Sequence, residues 1–95
     1  MPIVDLDEFA KDYLYLGLRI NKHINGYVEY YYGPPEIKRF VDYEQTRSPK
    51  KLLYDCNDLK IRLFEMGFER KRENFLNKTL NAISTTLREL NGEKI

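Results

Sequence analysis

The sequence predicts an all-α fold, and three observations carry that reading. Apolar residues recur at steps of three and four along three long stretches, the spacing of one helix face. Helix start and stop signals punctuate those stretches, most plainly at Ser48-Pro49 and Gly67. The one stretch of strand-like composition, Tyr27 to Tyr32, has no second strand to pair with. The expected architecture is a helical bundle of three long, antiparallel-type helices, with short helices around a tyrosine-glycine-proline junction. Residues 1–95 read as a single helical domain, with no internal repeat, low-complexity tract or domain boundary.

The first helix is expected from about Asp5 to about Ile24. Asp5 and Glu8 have capping spacing and suit the positive end of the helix dipole. Leu6, Phe9, Tyr13, Leu16, Ile20 and Ile24 form one apolar face, and Leu14 and Leu18 add a second stripe. So wide an apolar arc predicts cover on more than one side. Gly17 costs about 1 kcal/mol relative to Ala in mid-helix, which close approach of another helix would explain. Asn25-Gly26 is the stop. Tyr27, Val28, Tyr31 and Tyr32 fit one to two helical turns, so a short helix ending at Gly33 is expected. Pro34-Pro35 then enforces a break, and Pro35 opens another short helix with Ile37, Phe40 and Val41 inward.

Glu44 to Arg47 reads as a polar loop. Ser48 caps and Pro49 begins the next long helix, which runs to about Met66. Its inward residues are Leu52, Cys56, Leu59, Leu63 and Met66, broadened by Leu53 and Phe64. After Gly67, Phe68 or Glu69 opens the last helix, with Phe75, Leu76, Leu80, Ile83, Leu87 and Leu90 at helical spacing and Asn91-Gly92 as its stop. The short connection at Gly67 makes the last two long helices antiparallel.

Composition narrows the functional classes. A chain of 95 residues that is 42% hydrophobic and 33% charged is globular and large enough for one core. Cys56 is the only cysteine, which excludes an intrachain disulfide and a multi-cysteine zinc site and favours a reducing compartment. Sixteen basic and fifteen acidic residues give a net charge of +1, without the basic excess of a nucleic-acid domain. No apolar run approaches the roughly 20 residues that span a bilayer. The opening Met1-Pro2-Ile3-Val4-Asp5 lacks the basic patch and apolar core of a signal peptide. A soluble, cytoplasmic protein is expected.

No catalytic, cofactor or metal site is expected either. His23, the only histidine, has no serine or cysteine near it in sequence, and a histidine late in a helix more often caps carbonyl oxygens. A metal site would have to combine His23 with carboxylates from distant positions. Cys56 lies on an inward stripe, where a structural thiol is the default. Gly26 and Gly33 match no phosphate-cradling loop. The acidic residues read as solvated surface, and Asp7–Lys11 and Asp58–Arg62 as four-residue ion pairs. Arg70, Lys71 and Arg72, with Lys50, Lys51, Lys38 and Arg39, suggest a nucleic-acid-binding module in which tyrosines stack on bases. Interspersed Glu69 and Glu73 favour a mixed-charge face instead. The tyrosine cluster has the most functional leverage. Eight tyrosines in so small a domain cannot all be cheaply buried, because each hydroxyl needs a partner. They form either a rim around the core or an interface, possession of a large ring and a polar tip suiting both.

The stretch Leu18-Arg19, His23, Gly26, Val28 and Tyr31-Tyr32-Gly33-Pro34-Pro35-Glu36 resembles the N-terminal region of a family of uncharacterised bacterial and archaeal proteins several hundred residues long. The layout of the rest is similar, so the resemblance covers most of the chain, but only this central motif is specific. Longer members look like zinc metallopeptidases related by fold to helical carboxypeptidases, with a His-Glu-x-x-x-x-His-His type motif in their later half. This chain has no such motif, so the metal chemistry does not carry over. The resemblance implies a non-catalytic helical domain that covers or completes the cleft of a larger partner segment, or self-associates as a homodimer. The candidate interaction surface is His23, Tyr27, Tyr30, Tyr31, Tyr32, Gly33 and Pro34.

Overall fold

The computed structural model describes residues 8–29, 31 and 33–93. The described fold is all-α: α1 (Glu8–Asn21), α2 (Pro35–Tyr43), α3 (Pro49–Leu63) and α4 (Arg70–Leu90). They fall into two units, Met1–Arg47 with α1 packed on α2, and Ser48–Ile95 with α3 packed on α4. Among the described residues no helix is long and apolar enough to cross a membrane. The expected start of the first helix at Asp5, with Leu6 and the Asp7–Lys11 pair, lies outside the described residues.

In the first unit, Leu18 of α1 buries against Ile37 and Val41 of α2, with Leu14, Tyr15 and Tyr31 packed around them. Phe9, Leu16 and Ile20, on the other apolar stripe of α1, are buried too. Helix α1 stops at Asn21, short of the expected Ile24. Beyond it the amides of Lys22 and His23 bond only three residues back, to Arg19 O and Ile20 O, which tightens the chain into turns. Gly26 then takes φ +85°, a conformation that few other residues adopt without strain.

The expected short helix at 27–32 does not form over its described part. Residues 27–29 are bends, and Tyr30 and Tyr32 lie outside the described residues. The backbone donors are used elsewhere: Tyr27 N bonds Ile24 O at 3.0 Å, and Val28 N bonds the Asn21 Oδ1 at 2.9 Å. That side-chain bond returns the chain over α1, placing Val28 Cγ2 3.7 Å from where a Cβ on Gly17 would stand. The neighbour that Gly17 accommodates is therefore this returning segment, not another helix.

Helix α2 begins at Pro35 as expected, with Pro34 in extended conformation as its N-cap. Ile37 and Val41 face inward, but Phe40, expected with them, is exposed. Its ring instead meets Tyr15 edge-on, centroids 5.8 Å apart. At the other end, Lys22 Nζ donates to Val41 O and Glu44 O, each at 2.7 Å. These carbonyls close the negative end of α2, where a cation is favourable. Arg19 adds a two-pronged ion pair to Glu44, at 2.7 and 3.0 Å, and stacks over the Tyr15 ring.

The second unit follows the sequence closely. Ser48 Oγ accepts from Lys51 N and Pro49 opens α3. Leu52, Cys56, Leu59 and Leu63 of α3 and Leu80, Ile83 and Leu87 of α4 are buried. Gly67, at φ +72°, turns the chain between the helices, and Cys56 Sγ donates to Leu80 O at 3.3 Å across the hairpin. The expected inward set was too wide: Phe64 and Phe75 are exposed. Asp58 and Arg62 form the expected four-residue pair, at 3.1 Å.

The fork from Arg19 holds the Glu44 carboxyl below the usual carboxylate range, against the opposing effect of burial. Its folded pKa is thus lower than its unfolded value near ~4.3. The resulting stabilisation is complete above that value and is lost as pH falls through the folded pKa. Glu44→Gln is expected to destabilise the protein by about 1 kcal/mol at neutral pH. In urea titrations the gap between variant and parent should close as the pH drops below the ordinary carboxylate range.

Candidate functional site

The junction after α1 is organised by Tyr31. Its ring joins the cluster of Leu18, Ile37 and Val41, and its hydroxyl donates to Pro34 O at 2.6 Å. Burial pushes the phenol above its ordinary value, with Glu36 and Tyr15 adding to the effect. Gly33 lies directly against the ring. A Cβ there would stand 2.5 Å from Tyr31 Oη and 2.7 Å from Cζ, too close for any side chain unless the ring moved. The tyrosine-glycine-proline order thus has a local cause: ring over glycine, hydroxyl to the carbonyl that opens α2.

Three adjoining hollows run out from this point. The first, about 380 Å³, lies against α1 between Leu14, Gly17, Val28 and Tyr31. The second, about 670 Å³, shares Tyr31 and Gly33 with the first and continues along Lys38, Arg39 and Tyr43 of α2. The third, about 420 Å³, shares Arg39 and Tyr43 with the second and ends at Phe40 and Glu44. Together they form an open track from an apolar start to a mixed aromatic and charged end. Tyr43 is 86% exposed and Phe40 55%, three residues apart on α2. Lys38 is paired with Asp42 at 3.0 Å across one helical turn.

The expected surface residues do not all converge on this track. Tyr31, Gly33 and Pro34 come together as described. Tyr27 is half-buried beside the turn at Gly26. His23 Nε2 donates to Arg47 O at 2.7 Å, so its ring ties down the loop after α2. Tyr30 and Tyr32 lie outside the described residues. Sequence reasoning missed Tyr43, placed Phe40 in the core, and considered Arg39 only as part of a basic face. One signal pointed to them: Ile37 and Val41 complete the inward face of so short a helix, leaving Phe40 and Tyr43 beside or opposite it.

The remaining chemistry-bearing groups are engaged in structure. Cys56 is fully buried, and burial pushes its thiol up to about 11 despite the pull of Lys60. Among the described residues no three or more His, Cys, Asp or Glu side chains assemble into a metal-ligand set. The basic residues of the hairpin open different helices, Lys50 and Lys51 at α3 and Arg70, Lys71 and Arg72 at α4. They therefore sit at opposite ends of the hairpin, about 20 Å apart at 1.5 Å per residue of α3. Arg72 also stacks over Phe68, 4.7 Å from the ring centroid.

Two consequences are measurable. Gly33→Ala is expected to cost about 1–3 kcal/mol by forcing the Tyr31 ring aside. Most of that cost should vanish in a Tyr31→Leu background, giving a large coupling in a double-mutant cycle followed by urea unfolding. At pH 8 a thiol with a pKa of about 11 is ionised to roughly one part in a thousand, against about a quarter for an ordinary thiol. Alkylation of Cys56 should therefore be at least ~200-fold slower in the native protein than in urea.

Comparison of the chain with protein-family models, with curated proteins and with solved structures finds no match.

Proposed function

We propose that the chain is a non-catalytic helical domain that works by docking another polypeptide, and that it is a standalone or excised homologue of the N-terminal region of a larger metallopeptidase-like protein. The observation that carries the docking is the track from Tyr31 and Gly33 along α2 to Phe40 and Tyr43. It is long, open and shallow, unlike the enclosed pocket that buries most of a small molecule. It offers aromatic anchors with polar tips or neighbours, the composition that dominates protein contacts. The use of His23 as a loop tie and Cys56 as a buried donor supports a structural rather than a catalytic role for both. The resemblance of the junction motif supplies the partner class, the metal-binding segment of that family.

Titration calorimetry of the purified chain with the metal-binding segment of a family member tests this reading. A stoichiometric complex is expected, weakened at least ~10-fold by Phe40→Asp with Tyr43→Asp. Both positions are exposed, so the variant should keep its helical circular dichroism. Absence of binding, or equal binding by the folded variant, would overturn it.

A further inference from the structure

A second surface lies on the other unit and does not depend on the α2 track. Helix α3 has two apolar faces. Leu52, Cys56, Leu59 and Leu63 are buried. Tyr54 and Ile61, seven residues apart on the opposite side, are 74% and 67% exposed. Phe64, three residues beyond Ile61 and still in helical conformation, is exposed as well. With Asn57 these positions form a seam at steps of three and four, the spacing by which one helix packs along another.

Charge identifies the occupant. The seam is basic at its N-terminal end, with exposed Lys50 and Lys51, and acidic at its C-terminal end, with exposed Glu65. Lys50 and Lys51 sit against the positive N-terminus of α3, an unfavourable place for a cation, whereas its last turn carries Lys60 and Arg62 beside the negative end and Glu65 follows just beyond it. Among the described residues the side chains of Lys50, Lys51 and Glu65 form no ion pair. In the middle, Asp58 is already neutralised by Arg62. A face that is positive at one end and negative at the other is complementary to itself when turned end for end. Two-fold symmetry produces that arrangement, the same patch meeting its own reverse.

We propose that the outer face of α3 is a self-association surface on which a second copy of this chain seats antiparallel. Tyr54 then meets Phe64 of the second copy, and Ile61 meets its Asn57. Lys50 and Lys51 meet Glu65 of the second copy at both ends of the seam. The two helix dipoles run in opposition, and the lysines at each first turn find a carboxylate, Glu65, at the adjoining helix end. A parallel arrangement would instead place lysines against lysines and glutamate against glutamate.

Sedimentation equilibrium of the whole chain over a concentration series tests the proposal, with circular dichroism to show that each variant stays folded. A reversible monomer–dimer equilibrium is expected. Ile61→Lys should weaken it at least ~10-fold. Glu65→Lys alone, and Lys50→Glu with Lys51→Glu, should each weaken it several-fold. All three changes combined should restore it to within about threefold of the parent, because the ends are again complementary. Phe40→Asp with Tyr43→Asp should leave it unchanged, which separates this surface from the α2 track. A monomer at every concentration overturns the proposal. So does a combined reversal that stays as weak as Glu65→Lys, a dimer indifferent to Ile61→Lys, or a dimer lost with Phe40 and Tyr43.

Discussion

The first unit depends on the way α1 holds both polar ends of α2's C-terminal turn. At nine residues α2 is too short to persist alone, since helix nucleation is costly and only a few hydrogen bonds repay it. Its buried apolar contribution is two side chains, Ile37 and Val41, worth roughly 1.5–3 kcal/mol each. What fixes its position is a single polar stripe of α1 and the turn after it. Tyr15, Arg19, Lys22 and His23 follow one another at helical steps. Arg19 takes the Glu44 carboxylate, Lys22 takes two carbonyls, and His23 takes Arg47 O. Tyr31 takes Pro34 O at the other end. With its ends held by outside donors, α2 needs only one face for packing. The other face, with Arg39 and Tyr43, is left to solvent.

The hairpin solves the same problem by different means. Its helices are 15 and 21 residues long and supply seven buried side chains, Leu52, Cys56, Leu59, Leu63, Leu80, Ile83 and Leu87. Cys56 contributes a weak thiol bond to a carbonyl of α4, Leu80 O. Surplus apolar residues such as Tyr54 and Ile61 are then not needed for the hairpin's own core.

This contrast explains what the sequence disclosed. The hairpin was legible in detail because its determinants are local: a serine-proline start, leucines at three and four, a glycine with positive φ, and an ion pair four residues apart. The first unit was legible only in outline. Arg19 and Glu44 are 25 residues apart, and nothing local marks either as the other's partner. The apolar spacing of the tyrosine run fits a helical turn. Asn21, however, claims the Val28 amide from seven residues away, and that long-range bond wins over local periodicity. Hydrophobicity alone points Phe40, Phe64 and Phe75 inward. Each lies at the border of an apolar face that smaller aliphatic residues already fill, so the ring remains outside.

Exposure of an aromatic ring is not by itself a functional sign, since apolar atoms form more than half of any protein surface. Phe75 illustrates this: it is exposed on α4 and belongs to neither cluster of exposed rings. Spacing is what distinguishes the other rings. Tyr54, Ile61 and Phe64 share one side of one helix, and Phe40 and Tyr43 line one continuous track with Tyr31. A flat partner surface can bury several such residues at once, and cooperative exclusion of water is what gives clustered anchors more weight than scattered ones. The two clusters also differ in electrostatics. The seam on α3 carries separated charges of opposite sign at its ends, which select an orientation. The track on α2 carries neighbouring charges, Lys38 with Asp42, that largely satisfy each other. Orientation there must come from shape, and the shape is set by the Tyr31 ring lying on Gly33.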